Sequence, residues 1–531
     1  MGSYLPSSPA APRPFSVQRV AVIGAGPSGL ASAKYLLAQK AGPAAAAAFA
    51  RVDVFEQQAK VGGVWNYSPT PRPVEELPVP QTDAHPKRPD PPIWGDKGGD
   101  GNGGEGKKPL FPSPMYEDLH TNIPHTLMRY SDLPFKEGCE IFPTRGDVQE
   151  YLEQYAADVR HVIRFSTQVT GVALRPGTSF ATAAGDGDKE QDQWDVRTTD
   201  LLTDKETTET YDAVVVASGH YSTPYIPDSI GNIDAFHAAH PGLISHSKLY
   251  RNPELYRGKK VVVVGTGASG LDIASQIQAV CKPPLLVSAQ TEVPPETLAH
   301  IGNVKQVGQI KRFLVEERGA EFLPLSDSGP EEGGAGIETD IDAVLFCTGY
   351  LFTFPFLNTL QKTPLVTDGR QVYGVAKHLL HVAHPTLAFP GLPIKVIPFP
   401  LAEAQAAVLA RLWSNQLPLP MKEVLEEWER LDGEGTAPGK FHVFPKGGDG
   451  RYINELHDWV TRYGVDGGKE PPHWDEEMLW QRGIYAEAKM QFEKMGKKAK
   501  TLEELGFRYE PEKVVVPEDV AEGNEKMDVA G

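Results

Sequence analysis

Few side chains in this chain are spaced to carry covalent chemistry by themselves. Its three cysteines, Cys139, Cys281 and Cys347, are odd in number and far apart, with no Cys-x-x-Cys pair. That excludes a disulfide framework and a redox dithiol, and no Cys/His grouping has the spacing of a metal site. Buried structural thiols in a reducing compartment are the expectation. The positions with chemical meaning are glycines instead. Arg19-Val-Ala-Val-Ile23 runs into Gly24-Ala25-Gly26-Pro27-Ser28-Gly29, and Lys260-Val-Val-Val-Val264 runs into Gly265-Thr266-Gly267-Ala268-Ser269-Gly270.

Each pattern needs its glycines for a physical reason. The first glycine permits a tight turn, the second lets backbone approach a pyrophosphate, and the third lets helix and strand pack closely. The helix that follows offers free N–H groups and a positive dipole end to phosphate. A single triplet is no more than an ordinary tight turn. Two of them, each after an apolar strand and before a helical pattern, argue for two dinucleotide sites in one chain.

Two further groups fit a large planar nucleotide ligand. Arg51-Val-Asp-Val-Phe55 reads as the second strand and ends in Glu56, a carboxylate placed to accept hydrogen bonds from a ribose diol. An alanine-rich connection, Ala41 to Ala50, accounts for its extra distance from Gly24. Val61-Gly62-Gly63-Val64-Trp65 suits a loop lying against a flat ligand. Thr121-Asn122-Ile-Pro124 contains an amide able both to donate and to accept, although Asn-x-Pro alone is a turn former.

The elements that must position these groups alternate strand and helix. Buried strands are expected at Tyr211 to Ser218 and Ile341 to Cys347, with a second strand of the later module at Leu285 to Gln290. Helices are expected over Asp147–Asp158 and Leu401–Leu417, with amphipathic pieces at 421–431, 453–463 and 472–494. This is an α/β architecture with two Rossmann-like dinucleotide-binding domains, the later one inserted in the first. The expected division is 1–222 with 351–531 for the first domain and 223–350 for the second. From Ser68 to Pro112 the composition turns to Pro, Gly, Asp and Lys, which reads as a flexible surface insertion at 68–112.

At 531 residues, with 40% apolar and 23% charged content, the chain has room for two full cores. Its net charge of −18 argues against nucleic acid and anionic membranes as partners. No stretch approaches the ~20 apolar residues of a membrane span, and the first residues lack the basic and apolar parts of a secretory signal. A cytoplasmic protein without a membrane anchor is expected.

With these motifs in order, the sequence resembles the flavin-containing monooxygenase family, the class B flavoprotein monooxygenases, in its fungal type. The resemblance runs from about Arg19 to Leu412. It rests on Gly24–Gly29, Gly62–Trp65, Thr121–Pro124, a linker with Gly242, His246 and Tyr250, Gly265–Gly270, and Thr348-Gly349-Tyr350. It implies FAD at Gly24, Gly26, Pro27, Ser28, Gly29, Glu56, Gly63, Val64, Trp65 and Thr121, and NADP at Gly265, Gly267 and Gly270. Asn122 is implied as the residue beside both flavin and nicotinamide, the catalytic position.

The implied activity is an N,N-dimethylaniline monooxygenase-like oxygenation. Hydride passes from NADPH to FAD, O₂ gives a C4a-hydroperoxyflavin, and a small soft nucleophile, amine nitrogen or thiol or sulfide sulfur, takes an oxygen. Members are often oligomeric, so a homo-oligomer is compatible with the resemblance. Two departures bear on this expectation. His240 stands where the family linker has Phe, and the segment Ser288-Ala-Gln290-Thr291 lacks the Arg that usually meets the 2′-phosphate of NADP. Lys305, Lys311 or Arg312 are the nearby cations that could replace it. A Baeyer–Villiger enzyme acting on ketones is an alternative, against which Tyr250 argues because such relatives carry Trp there. A non-catalytic flavin-binding protein is another, against which the intact Gly265–Gly270 argues.

Overall fold

The computed structural model describes residues 15–42, 46–95, 108–176, 178, 191–325, 336–357, 360, 364–437, 439–463 and 467–511. Residues 1–14, 179–190 and 512–531 are among those outside the described residues.

Two sheets carry the two glycine turns, the first parallel except for its antiparallel edge strands Val375–Ala376 and Leu380–His381, the second parallel throughout. The first has seven strands in the order Val375–Ala376, Leu380–His381, Leu387–Ala388, Ala213–Val216, Arg19–Ile23, Arg51–Phe55 and Ile163–Arg164. Arg19–Ile23 lies in its interior, parallel to both neighbours, with Val22 opposite Val54 on one side and Val215 on the other. Alternate residues of that strand serve different cores. Val20 and Val22 pack with the helices Pro27–Ala38 and Pro398–Trp413, while Ala21 and Ile23 pack with Trp194, Val196 and Phe352 on the other face. That second face is covered by a three-stranded antiparallel sheet, Thr167–Leu174, Trp194–Asp200 and Lys205–Tyr211. A strand buried on both sides explains the unbroken apolar run in its sequence.

The second sheet repeats the plan with five strands, Ile244–His246, Ala343–Phe346, Val261–Val264, Leu285–Ser288 and Val304–Val307 in that order. Val261 and Val263 face the helix Ala268–Gln278, and Val262 faces Phe313 and Phe322. The chain leaves the first sheet after Val216, builds the second between Ile244 and Phe346, and returns. The second glycine-turn module is thus inserted in the first. Its two crossings pair with each other, Thr223–Pro224 antiparallel to Tyr350–Leu351.

The helix Pro398–Trp413 is buried along nearly its whole length, including Glu403, Gln405 and Arg411. Such polar groups must be satisfied internally. Glu403 accepts from Ser131 N (2.7 Å), Ser131 Oγ (2.8 Å) and Lys469 Nζ (3.1 Å). The C-terminal helix Glu476–Lys494, capped by Asp475, reaches the second module, where His300 Nε2 meets Glu493 Oε2 at 2.9 Å.

The reading of 68–112 as a flexible insertion needs correction over 68–95 and 108–112. Ser68, Leu77, Ala84 and Phe111 are buried there, and Ile93–Gly95 pairs with Lys108–Leu110. Gln81 N and O both bond to Ile226 at the entrance to the second module. A few apolar anchors and one backbone bridge outweigh the polar average of the segment. Residues 96–107 lie outside the described residues.

Candidate functional site

The first turn is built of backbone so closely packed that side chains are excluded. Gly24 has φ +102°, and a Cβ there would lie 2.5 Å from the Ala217 oxygen. A Cβ on Gly29 would lie 1.9 Å from the Gly24 oxygen, so helix and strand touch through glycine alone. Pro27 opens the helix with its fixed φ, and no side chain caps it, which leaves the N–H groups facing outward. Tyr130 donates its hydroxyl to Pro27 O at 2.9 Å and steadies that end.

Gly62–Trp65 folds over this turn. Gly62 N donates to Ala25 O (3.0 Å), and Gly63, at φ +55°, faces Gly26 so closely that a Cβ would sit 2.9 Å from its Cα. Val64 and Trp65 complete the short 3₁₀ turn Gly63–Trp65, with Trp65 half-buried. Gln149, from the helix Arg145–Tyr155, donates to Val61 O at 2.9 Å and backs the loop. Ser28 is approached from a third direction by Gly391, at φ +82°, where a Cβ would lie 2.6 Å from Ser28 Oγ.

Glu56 sits beneath the turn. Its carboxylate accepts from Ala25 N at 2.7 Å and Gln58 N at 2.8 Å, and the residue is only 4% exposed. Burial pushes its pKa up to about 7, opposed by the two backbone N–H groups.

The second turn has the same construction with one difference. Gly265 (φ +107°) and Gly270 admit no Cβ, which would lie 2.7 Å from the Cys347 oxygen and 2.2 Å from the Gly265 oxygen respectively. Gly267 has open space at its Cβ position and stands at the N-cap of Ala268–Gln278. Cys347 backs this turn, and burial raises its thiol to about 12, which makes it inert packing. Both turns therefore fit a dinucleotide: backbone N–H groups at a helix start, and space that a Cβ would close.

The segment containing Asn122 touches the second turn directly, and it meets the helix Arg145–Tyr155, which backs the loop over the first turn, through Arg145 N to Leu119 O (3.1 Å). At one end Tyr116 donates its hydroxyl to Asp272, two residues past Gly270, and packs edge-on against Tyr250. At the other, Thr121 is buried, donates N–H to Pro143 O (2.8 Å) and Oγ1–H to Ile123 O (2.8 Å). Asn122 itself is exposed, and its amide meets no partner among the described residues.

The linker residues are structural. His246 is fully buried, accepts Lys248 N–H on Nδ1 (3.1 Å) and so donates from Nε2 to Gly349 O (3.1 Å). Burial drops its pKa to about 3, which keeps it neutral. Tyr250 donates to Gln276 Oε1 at 2.9 Å, and His240 pairs through Nε2 with Val315 O at 2.8 Å. At the end of Leu285–Ser288, Ser288 Oγ is spent on Gly308 O. The three candidate cations are each held by an acid: Lys305 by Glu338 (2.7 Å), Lys311 and Arg312 by Glu321 (2.7 and 2.5 Å).

Gly391 and Gln405, whose Oε1 accepts Gly391 N–H at 2.8 Å, are absent from the sequence reading. The Pro390-Gly391 pair ahead of a helix was the available signal. A cleft of about 930 Å³ lined by Lys34, Asp132, His457 and Lys469 lies at the far end of Pro27–Ala38, away from the turn.

Paired glycine turns on two α/β modules, one inserted in the other, define a two-domain fold of the Rossmann-like dinucleotide-binding class. Residues 22–83 match an NAD(P)-binding Rossmann-like domain, and residues 107–314 match the flavin-binding monooxygenase-like family. A flavin-containing monooxygenase of Arabidopsis thaliana, GS-OX-like 9, is 32% identical over 457 residues, 83% of this chain and 86% of that one. The thiol-specific monooxygenase of Saccharomyces cerevisiae is 28% identical over 476 residues, covering 87% and 90%. The S-allyl-L-cysteine S-oxygenase structure from Allium sativum superposes with a TM-score of 0.68 at 24% identity, covering 93% and 98%, and shares the fold. The chain belongs to the flavin-containing monooxygenase family. Its cofactors are FAD and NADP. No described helix is long and apolar enough to cross a membrane.

Proposed function

We propose that this protein is an NADPH- and O₂-dependent monooxygenase that oxygenates the sulfur of a small thiol or sulfide, with amine nitrogen as the second substrate class. The observation that carries the reading is that Asn122, exposed and with its amide unengaged among the described residues, follows a segment whose Tyr116 reaches the helix of the second glycine turn. The sulfur preference is supported by the yeast relative, a thiol-specific monooxygenase.

Bound FAD supplies the redox chemistry with O₂, and the chain contributes binding, orientation and exclusion of water. Gly24, Gly26, Gly29 and the helix start at Pro27 and Ser28 receive the pyrophosphate of FAD, Glu56 the ribose diol, and Gly63, Val64, Trp65 and Thr121 the rest of the molecule. Gly265, Gly267 and Gly270 receive NADP. Asn122, whose amide can both donate and accept, would orient the reacting partners. His246 does not exchange protons, because its pKa lies near 3 and its Nε2–H is committed to Gly349 O. The crossing strands Thr223–Pro224 and Tyr350–Leu351 support a division into an FAD module, 1–222 with 351–531, and an NADP module, 223–350. Three free cysteines support a reducing, cytoplasmic compartment.

The purified protein should be yellow and should oxidise NADPH with O₂ when given a thiol. Assaying a thiol, a sulfide, an amine and a cyclic ketone side by side, with product identification, tests the reading. Absence of bound flavin, or of oxygenated product from every sulfur and nitrogen substrate, refutes it.

A further inference from the structure

A buried cation without a counter-ion stands where the two modules meet. Arg251 is 5% exposed and donates Nε–H to Ser68 O (2.7 Å) and Nη1–H to Lys248 O (3.0 Å) and Tyr250 O (2.7 Å). Its Nη2 is buried with no acceptor among the described residues, and no described carboxylate pairs with the guanidinium. Lys248 is equally enclosed, 9% exposed, with Nζ donating to Ser222 O. Its acid, Asp90, stands 3.7 Å away with 59% of its side chain in solvent. Neutral carbonyls hold Arg251 in place but do not cancel its charge, the partner of Lys248 is largely solvated, and an uncompensated buried charge opposes folding. Burial holds both groups below their ordinary pKa.

Topology says which part of a ligand would reach them. Lys248 and Arg251 follow directly on Ile244–His246, the edge strand on one side of the second sheet, whereas Leu285–Ser288 lies on the other side of the glycine-turn strand. In such sheets the adenosine half of a dinucleotide lies on the side of that second strand, so the opposite half points toward Arg251. Ser68, which Arg251 grips, comes three residues after Trp65 of the flavin-side loop.

We infer that Arg251 and Lys248 form an anion subsite at the module junction, which takes a phosphate or carboxylate oxygen of the ligand bound between the two turns. This rests on the monooxygenase reading above. Guanidinium is suited to either anion, since Nη2 keeps its N–H groups unused and charged. Two sources share this chemistry: the pyrophosphate of the nicotinamide cofactor, and a carboxylate carried by the thiol substrate.

The test uses the full-length holoenzyme with its flavin content measured first, so that loss of FAD is seen separately. Binding of NADP⁺ and of inorganic pyrophosphate is followed by calorimetry for wild type, Arg251→Gln, Arg251→Lys and Asp90→Asn. If the cofactor is the source, Arg251→Gln weakens NADP⁺ at least tenfold, Arg251→Lys restores most of it, and Asp90→Asn tightens pyrophosphate two- to fivefold. If the substrate is the source, NADP⁺ binding is unchanged. The ratio of kcat/KM for 3-mercaptopropionate over its methyl ester then falls at least tenfold in Arg251→Gln. Should Arg251→Gln fail to fold, Lys248→Gln and Asp90→Asn decide the matter, because both are expected to shift anion affinity in opposite directions. Wild-type NADP⁺ affinity, pyrophosphate affinity and substrate ratio in all folded variants overturn the subsite and leave Arg251 as a strap between loops.

Discussion

Replacing Glu56 by Gln isolates the part of the first site that the geometry makes most demanding. Both carboxylate oxygens are in use, by Ala25 N at 2.7 Å and Gln58 N at 2.8 Å, with the group fully enclosed. A glutamine keeps one acceptor and turns an NH₂ toward the other backbone N–H. One buried donor is then left unpaired, at a cost of about 1–3 kcal/mol. The ribose diol loses a charged acceptor as well, worth about 1.5–3 kcal/mol. Part of this is shared with the apoprotein, so a net loss of about 1.4–2.7 kcal/mol in FAD affinity follows, a Kd roughly 10- to 100-fold higher. A pH arm separates charge from shape. Burial lifts Glu56 from 4.5 to about 7, so between these values the folded apoprotein keeps a proton that the unfolded chain has released. Folding stability from this group is therefore present at low pH and lost as pH rises through 7, by at most about 3 kcal/mol. Ribose hydroxyls donating to the carboxylate favour its charged form, so FAD affinity moves the other way and weakens about tenfold per unit below pH 7. Fluorescence titration of deflavinated protein with FAD from pH 5.5 to 8.5 reads the affinity, and urea unfolding of the same protein over that range reads the stability. An Glu56→Gln protein that binds FAD within threefold of wild type across that range would refute the ribose role.

Three other substitutions and one cofactor comparison follow from the same geometry. Gly63→Ala places a Cβ 2.9 Å from Gly26 Cα at φ +55° and should abolish flavin retention, seen as loss of visible absorbance in soluble protein. Gly267→Ala meets open space, so its Tm should stay within about 2 °C of wild type, while KM for NADPH rises at least tenfold; an unchanged KM would contradict a phosphate at that turn. Asn122→Ala should keep flavin content and lower kcat at least tenfold, because the exposed amide holds nothing else in place; wild-type turnover would remove it from the site. NADH should support turnover within about tenfold of NADPH, since Lys305, Lys311 and Arg312 are each bound to an acid, and a preference above 100-fold would show that another cation meets the 2′-phosphate.

What the sequence made legible was local backbone necessity. Gly24 and Gly265 could be read because a turn at φ above +100° beside a neighbouring carbonyl excludes every other residue, and the exclusion is written in the glycine itself. The two sheets were legible for a related reason, since Val20–Ile23 and Val261–Val264 are apolar on both faces and so must be covered on both. Gly391 obeys the same rule but was missed, because its partner Ser28 is far away in the chain and nothing near Gly391 points to a nucleotide. Arg251 shows the limit in its sharpest form. One residue after Tyr250 it reads as a surface cation, yet its Nε finds Ser68, 183 residues earlier, inside a segment whose composition promised only solvent. Composition averages over a stretch, whereas burial depends on the few residues that anchor it, here Leu77, Ala84 and Phe111. The cofactor cradles are therefore readable from single motifs, and the space between them, where specificity is set, depends on pairings that no local pattern contains.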